Sequence, residues 1–165
     1  MSGVDDNSHN ADWYSDKRDA AIHEAGHVVV GIICDQLNMK AKIWRGTPAD
    51  PIGDRIWRGN ADAPGLARRL SAAMSVAGLA AEDLDDDSLV TAAYCVELVD
   101  QGRELSVSDR RGYPTEHAEQ IKAFDVALTT LRKHREFFDW LVNQLVADDV
   151  ATSDKIAEYL KTRTP

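Results

Sequence analysis

Cysteine is scarce in this chain: only Cys34 and Cys95 occur, with no Cys-x-x-Cys pair. Neither a disulfide framework nor a cysteine-rich zinc module is expected, and both thiols are read as reduced and buried. Long apolar runs are lacking too. The longest uninterrupted one, residues 28–34, falls far short of the roughly 20 residues that a spanning helix needs. The N-terminal stretch MSGVDDNSHNADWYSDKRD has no apolar signal core. Positive charge is in short supply, with 19 Lys and Arg against 28 Asp and Glu and a formal net charge of −9. That is a field of the wrong sign for a nucleic-acid backbone or an anionic membrane. A soluble, cytoplasmic protein without nucleic-acid or membrane partners is expected.

What is present is enough chain, 165 residues, for one domain with its own core. Residues 1–14 are polar and aperiodic and are assigned to a flexible N-terminal arm, leaving 15–165 as a single domain. Ser15 or Asp16 can cap a first helix over residues 17–37, in which Ile22, Val29, Val30, Ile33 and Leu37 give an apolar surface broad enough to be buried on more than one side. The segments KAKIWRG (40–46) and DRIWRG (54–59) share Ile-Trp-Arg-Gly and flank a Pro- and Gly-containing loop, a pattern for a β-hairpin or small sheet. Further helices are expected over 64–84, with Pro64 in the first turn, and over 88–102, 115–134, 135–149 and 152–162, with RELSVSDRRGYP (103–114) as a loop. The fold class is mainly α with a small β element.

The segment AIHEAGHVVVG (21–31) lies within the first helix. A spacing of four residues puts His23 and His27 on one face, one turn apart, where both imidazoles can converge on a single metal ion. Glu24 projects about 100° further around the axis, where a carboxylate reaches water at the ion without ligating it, the place of a general base. The bland alternative is a pair of core histidines satisfied by ordinary hydrogen bonds. Gly26 weighs against it, because an interior glycine costs a helix about 1 kcal/mol relative to alanine and is expected where another segment approaches closely. Cys34, seven residues beyond His27, is about 10 Å further along the axis and too far to share the ion.

HEAGHVVVG resembles the zinc helix of the protease domain of the FtsH family of ATP-dependent zinc metalloproteases. SAAMSVAGLAAEDL (71–84) resembles the family's Gly-Arg-Ala-Ala-Glu-Glu helix, SVSD (106–109) the segment that delivers its third ligand, and SDKIAEYL (153–160) its closing helix. The resemblance implies a zincin-like helical metalloprotease domain that holds Zn2+ through His23, His27 and Asp109, with Glu24 as catalytic base. Glu116, His117, Glu82 and Asp83 remain competitors for the third position, since Gly112 and Pro114 interrupt any helix after Asp109. Glu82 is also placed to support a ligand histidine from behind. Trp44 and Trp57 are candidates to line a cleft beside the hairpin, whose edge can pair with an extended peptide. No Gly-x-x-x-x-Gly-Lys-Ser/Thr phosphate loop occurs. The expectation is therefore a free-standing peptidase that works without ATP on unfolded or flexible protein segments, with a separate partner delivering folded substrates. The competing class is a non-catalytic protein-interaction module built on a former protease domain.

Overall fold

A first helix whose interior is closed in on every side sets the architecture. Helix α1 (Lys17–Ile33) starts at Asp16, whose carboxylate accepts the Arg18 amide at 2.6 Å, and residues 20–31 are all buried. It ends earlier than the apolar pattern predicts. Gln36 turns into the left-handed region, φ 55, and Leu37 is buried beyond the helix, with its amide donating to the Gly31 carbonyl at 3.0 Å. The computed structural model describes residues 12–47 and 56–163.

Four antiparallel strands lie against α1 in the order β1-β3-β2-β4: β1 (Asp12–Tyr14), β2 (Lys40–Arg45), β3 (Trp57–Asp62) and β4 (Val150–Ala151). The hairpin expectation holds, and the duplicated tetrapeptide explains its register. The two copies run antiparallel, so Trp44 faces Arg58 and Arg45 faces Trp57. On β1, Trp13 also faces Arg58, whose guanidinium stacks 4.5 Å from the Trp13 ring and 5.9 Å from Trp44. Cation–π contacts of this kind favour one register over its neighbours. Strand β1 corrects the assignment of residues 1–14 to a flexible arm, since its three residues pair with β3 and Tyr14 is buried; residues 1–11 lie outside the described residues.

The helical layer departs from the predicted pattern in two places. The expected helix over 64–84 is two: α2 (Leu66–Arg69) and α3 (Ala72–Asp86). Leu70 is extended between them, and Ser71 opens α3 by accepting the Met74 amide at 3.1 Å. The expected loop 103–114 contains a short helix, α5 (Val107–Gly112), capped by Ser106. Gly112 and Pro114 end this helix rather than prevent it. Helices α4 (Ala92–Asp100), α6 (His117–Lys133), α7 (Arg135–Asp148) and α8 (Ser153–Arg163) fall within about two to four residues of expectation.

The core runs between α1, α3, α6 and α7, with Ile22, Val28, Met74, Phe124, Leu128, Phe138 and Leu141 among its fully buried side chains. Helices α1 and α3 approach closely at Gly26. A β-carbon there would stand 2.5 Å from the Ala77 carbonyl oxygen and 2.7 Å from the Ala81 methyl, which is the close approach that the interior glycine predicts. Of the two thiols, Cys95 is buried as expected, but Cys34 is exposed, because α1 ends at the surface. No described helix is long and apolar enough to cross a membrane.

Candidate metal centre

Helix α1 delivers His23, Glu24 and His27, and α5 brings Asp109 against them across the face of α3. His23, His27 and Asp109 form the one group of this kind among the described residues, and all three are buried. Their Nε2 atoms lie 3.2 Å apart, and Asp109 Oδ2 is 3.7 Å from the first and 3.5 Å from the second. Ligand atoms around tetrahedral zinc, with bonds near 2.0–2.1 Å, are separated by about 3.3 Å. The three atoms match that triangle to within a few tenths of an ångström.

The hydrogen bonds behind the rings determine which nitrogens face the centre. His23 Nδ1 lies 3.2 Å from Glu82 Oε2, and His27 Nδ1 lies 2.9 Å from the Met74 carbonyl oxygen. A carboxylate and a carbonyl can only accept, so Nδ1 carries a proton in both rings, and whenever a ring is neutral its Nε2 turns a lone pair inward. Two lone pairs and a carboxylate oxygen confined in a buried space repel one another unless a positive charge lies among them. Carboxylate or carbonyl support of this kind orients histidine ligands in metal sites generally.

The electrostatics of these side chains have the same sense. Burial pulls the His27 imidazole down, but the Asp109 carboxylate beside it outweighs that effect and leaves its pKa raised. Burial pushes the Asp109 carboxyl up, yet His27 charge and hydrogen bonds from His23 and His27 hold it well below the usual carboxylate range. Asp109 therefore stays ionised, as a metal ligand must.

Glu24 is buried on the wall of the cleft that opens onto His27 and Asp109. Its Oε2 accepts a hydrogen bond from the Tyr14 hydroxyl at 2.7 Å. On the other side, a β-carbon at Gly59 of β3 would stand 2.7 Å from both Glu24 Cγ and Oε2. The cleft measures about 170 Å³ and continues along Asn60, Asp62, Leu66, Leu70 and Arg111. That is below the roughly 300–1,000 Å³ of small-molecule pockets.

The competitors for the third position lie elsewhere. Glu116 and His117 are exposed at the start of α6. Glu82 touches His23 through the outward nitrogen, as its supporting assignment expects. Asp83 is engaged by the Arg103 guanidinium at 2.6 and 2.7 Å. Trp44 and Trp57 do not line the cleft, which corrects that expectation: Trp44 stacks beside Arg58 and Lys42, and Trp57 packs on the core under Lys17. Cys34 lies against Thr130 at 3.3 Å, away from the histidines.

Two residues of the site leave little trace in the sequence. Tyr14 falls in a segment without periodicity, and Gly78 on α3 lies directly beneath the His23 ring, so that a β-carbon there would collide with the imidazole. The Ala-rich run around Gly78 marks a helix that packs closely, which was the available signal. Comparison with protein-family models, with curated proteins and with solved structures gives no match.

Proposed function

We propose that this domain is a zinc-dependent metallopeptidase of zincin-like design, acting on extended or unfolded protein segments without ATP. The observation that carries it is the triangle of His23 Nε2, His27 Nε2 and Asp109 Oδ2, spaced at 3.2–3.7 Å, beside a buried glutamate on an open cleft. A purely structural zinc site closes its coordination shell with four protein ligands. Here three converge, and the fourth side faces the cleft with Glu24. The FtsH-like character of HEAGH supports the same assignment.

Zinc held by these atoms would polarise a peptide carbonyl and lower the pKa of water at the site toward about 7. The work of the chain's own residues follows from their placement. Glu82 and the Met74 carbonyl hold the imidazoles in the tautomer that presents Nε2. Glu24 accepts a proton as water attacks the carbonyl carbon and returns it to the departing amine nitrogen, so the C–N bond breaks with water's elements shared between two products. Strand β3 helps to place the substrate. Its residues 59–62 line the cleft. An extended backbone laid along this strand would bring a peptide carbonyl toward the centre.

The test is zinc analysis of protein purified without added metal, combined with cleavage of an unfolded protein by wild type and Glu24→Gln. The expected result is about one zinc per chain in both, with hydrolysis reduced at least about a hundredfold in the variant. Zinc without cleavage by the wild type would identify a protein-binding module instead, and absence of zinc at equimolar supply would remove the site.

A further inference from the structure

We propose that Tyr14, from the N-terminal strand, is a positioning residue for Glu24, so that β1 is a working part of the site; the inference rests on the role given to Glu24 above. A glutamate side chain has three rotatable bonds, and a base that must meet water at one spot loses efficiency if its carboxylate wanders. Here the carboxylate is confined from two directions. The Tyr14 hydroxyl donates to Oε2 at 2.7 Å, and the Gly59 backbone passes so close that even a methyl group would displace the side chain.

The donor is itself fixed. Tyr14 pairs with Trp57 in the β1–β3 ladder, and its phenol ring stands 5.3 Å from the His23 ring. Its neighbour Trp13 anchors the strand, stacking on the Arg58 guanidinium at 4.5 Å and closing over Gly46, where a β-carbon would stand 2.6 Å from the indole. A phenylalanine would have supplied the same packing. The hydroxyl adds a directed bond to a buried carboxylate.

The experiment compares full-length wild type with Tyr14→Phe, which keeps the ring and removes the donor. Steady-state peptide cleavage, zinc content, thermal midpoint and crystal structures of both proteins are measured. The expected result is a kcat lower by about tenfold, the usual effect of one hydrogen bond to a charged group, with KM changed by less than about twofold. Zinc content stays at the wild-type value, the midpoint falls by no more than the few degrees that one lost hydrogen bond to a buried carboxylate costs, and Glu24 occupies more than one conformer in the variant where the wild type shows one. An unchanged kcat, or a fall in kcat matched by loss of zinc or by unfolding at the assay temperature, overturns the inference. If the wild type cleaves nothing, the peptidase assignment fails by itself. The positioning claim is then decided by the crystal structures: one unchanged Glu24 conformer in both proteins overturns it, and release of the carboxylate in the variant supports it.

Discussion

Gly78 lies beneath His23 so closely that any side chain at position 78 would occupy the space of the imidazole. Alanine in a helix interior is ordinarily favoured over glycine by about 1 kcal/mol. Gly78→Ala should therefore leave α3 formed while pushing His23 off the centre. The expected outcome is a folded protein by circular dichroism whose zinc content drops well below one per chain. Full zinc occupancy with His23 displaced would contradict the assignment of that ring as a ligand.

Gly59→Ala should separate base from metal. Its methyl group would meet the end of the Glu24 side chain at 2.7 Å, and a long side chain moves more cheaply than the backbone. Zinc content is expected to stay near that of the wild type while kcat falls by about tenfold or more. Metal analysis beside kinetics checks it, and equal loss of both would show that the strand rather than the carboxylate had shifted.

Glu82 and Arg103 stand behind His23. The guanidinium bonds Asp83 at 2.6 Å and lies 3.4 Å from the Glu82 carboxylate that holds His23 Nδ1. Glu82→Ala should weaken zinc affinity by about 10–100-fold with little effect on the fold. Arg103→Ala should act mainly on stability, by about 2–4 kcal/mol, because it strands the buried Asp83 carboxylate. Competition with a chelator and denaturant titration distinguish the two.

The pairing of His27 with Asp109 predicts opposite pH behaviour with and without metal. A raised imidazole stabilises the metal-free fold below its ordinary pKa, and this contribution is lost as pH rises through the raised value. A lowered carboxyl stabilises above its ordinary pKa, and this contribution is lost as pH falls toward the lowered value. The pair thus contributes most between about pH 4 and pH 6.5. In chelator-treated protein, Asp109→Asn should cost more stability at about pH 5 than at about pH 8. With excess zinc the order should reverse, since metal binding strengthens as His27 gives up its proton. Denaturant midpoints at the two pH values, with and without zinc, provide the check.

How much of the site could be read from sequence depended on how local its cause was. His23, Glu24 and His27 are placed by the pitch of one helix, so their spacing alone located them. Asp109 was reached through the FtsH-like SVSD segment, because a six-residue helix capped by Ser106 and ended at Gly112 leaves no periodic trace. Tyr14 lies in a strand that the sequence does not mark, since a three-residue strand exists only through its partner β3. The break at Leu70 did have a signal: Ser71 ahead of Ala-Ala-Met is a usable N-cap, which the continuous Ala-rich pattern obscured. Cys34 is exposed rather than buried because α1 ends before it, at Ile33.

The two histidines sit one helical turn apart, whereas Asp109 follows His27 by 82 positions (109 − 27). Time therefore enters the chemistry of this centre. In a refolding chain the local pair is expected to meet as soon as α1 winds, whereas Asp109, the proposed third ligand, needs the long-range approach of α5, and long-range contacts form more slowly than helices. A spectroscopically visible ion such as cobalt, added during refolding, would change its absorption as the carboxylate joins, and would register the final closure of the molecule rather than its first collapse.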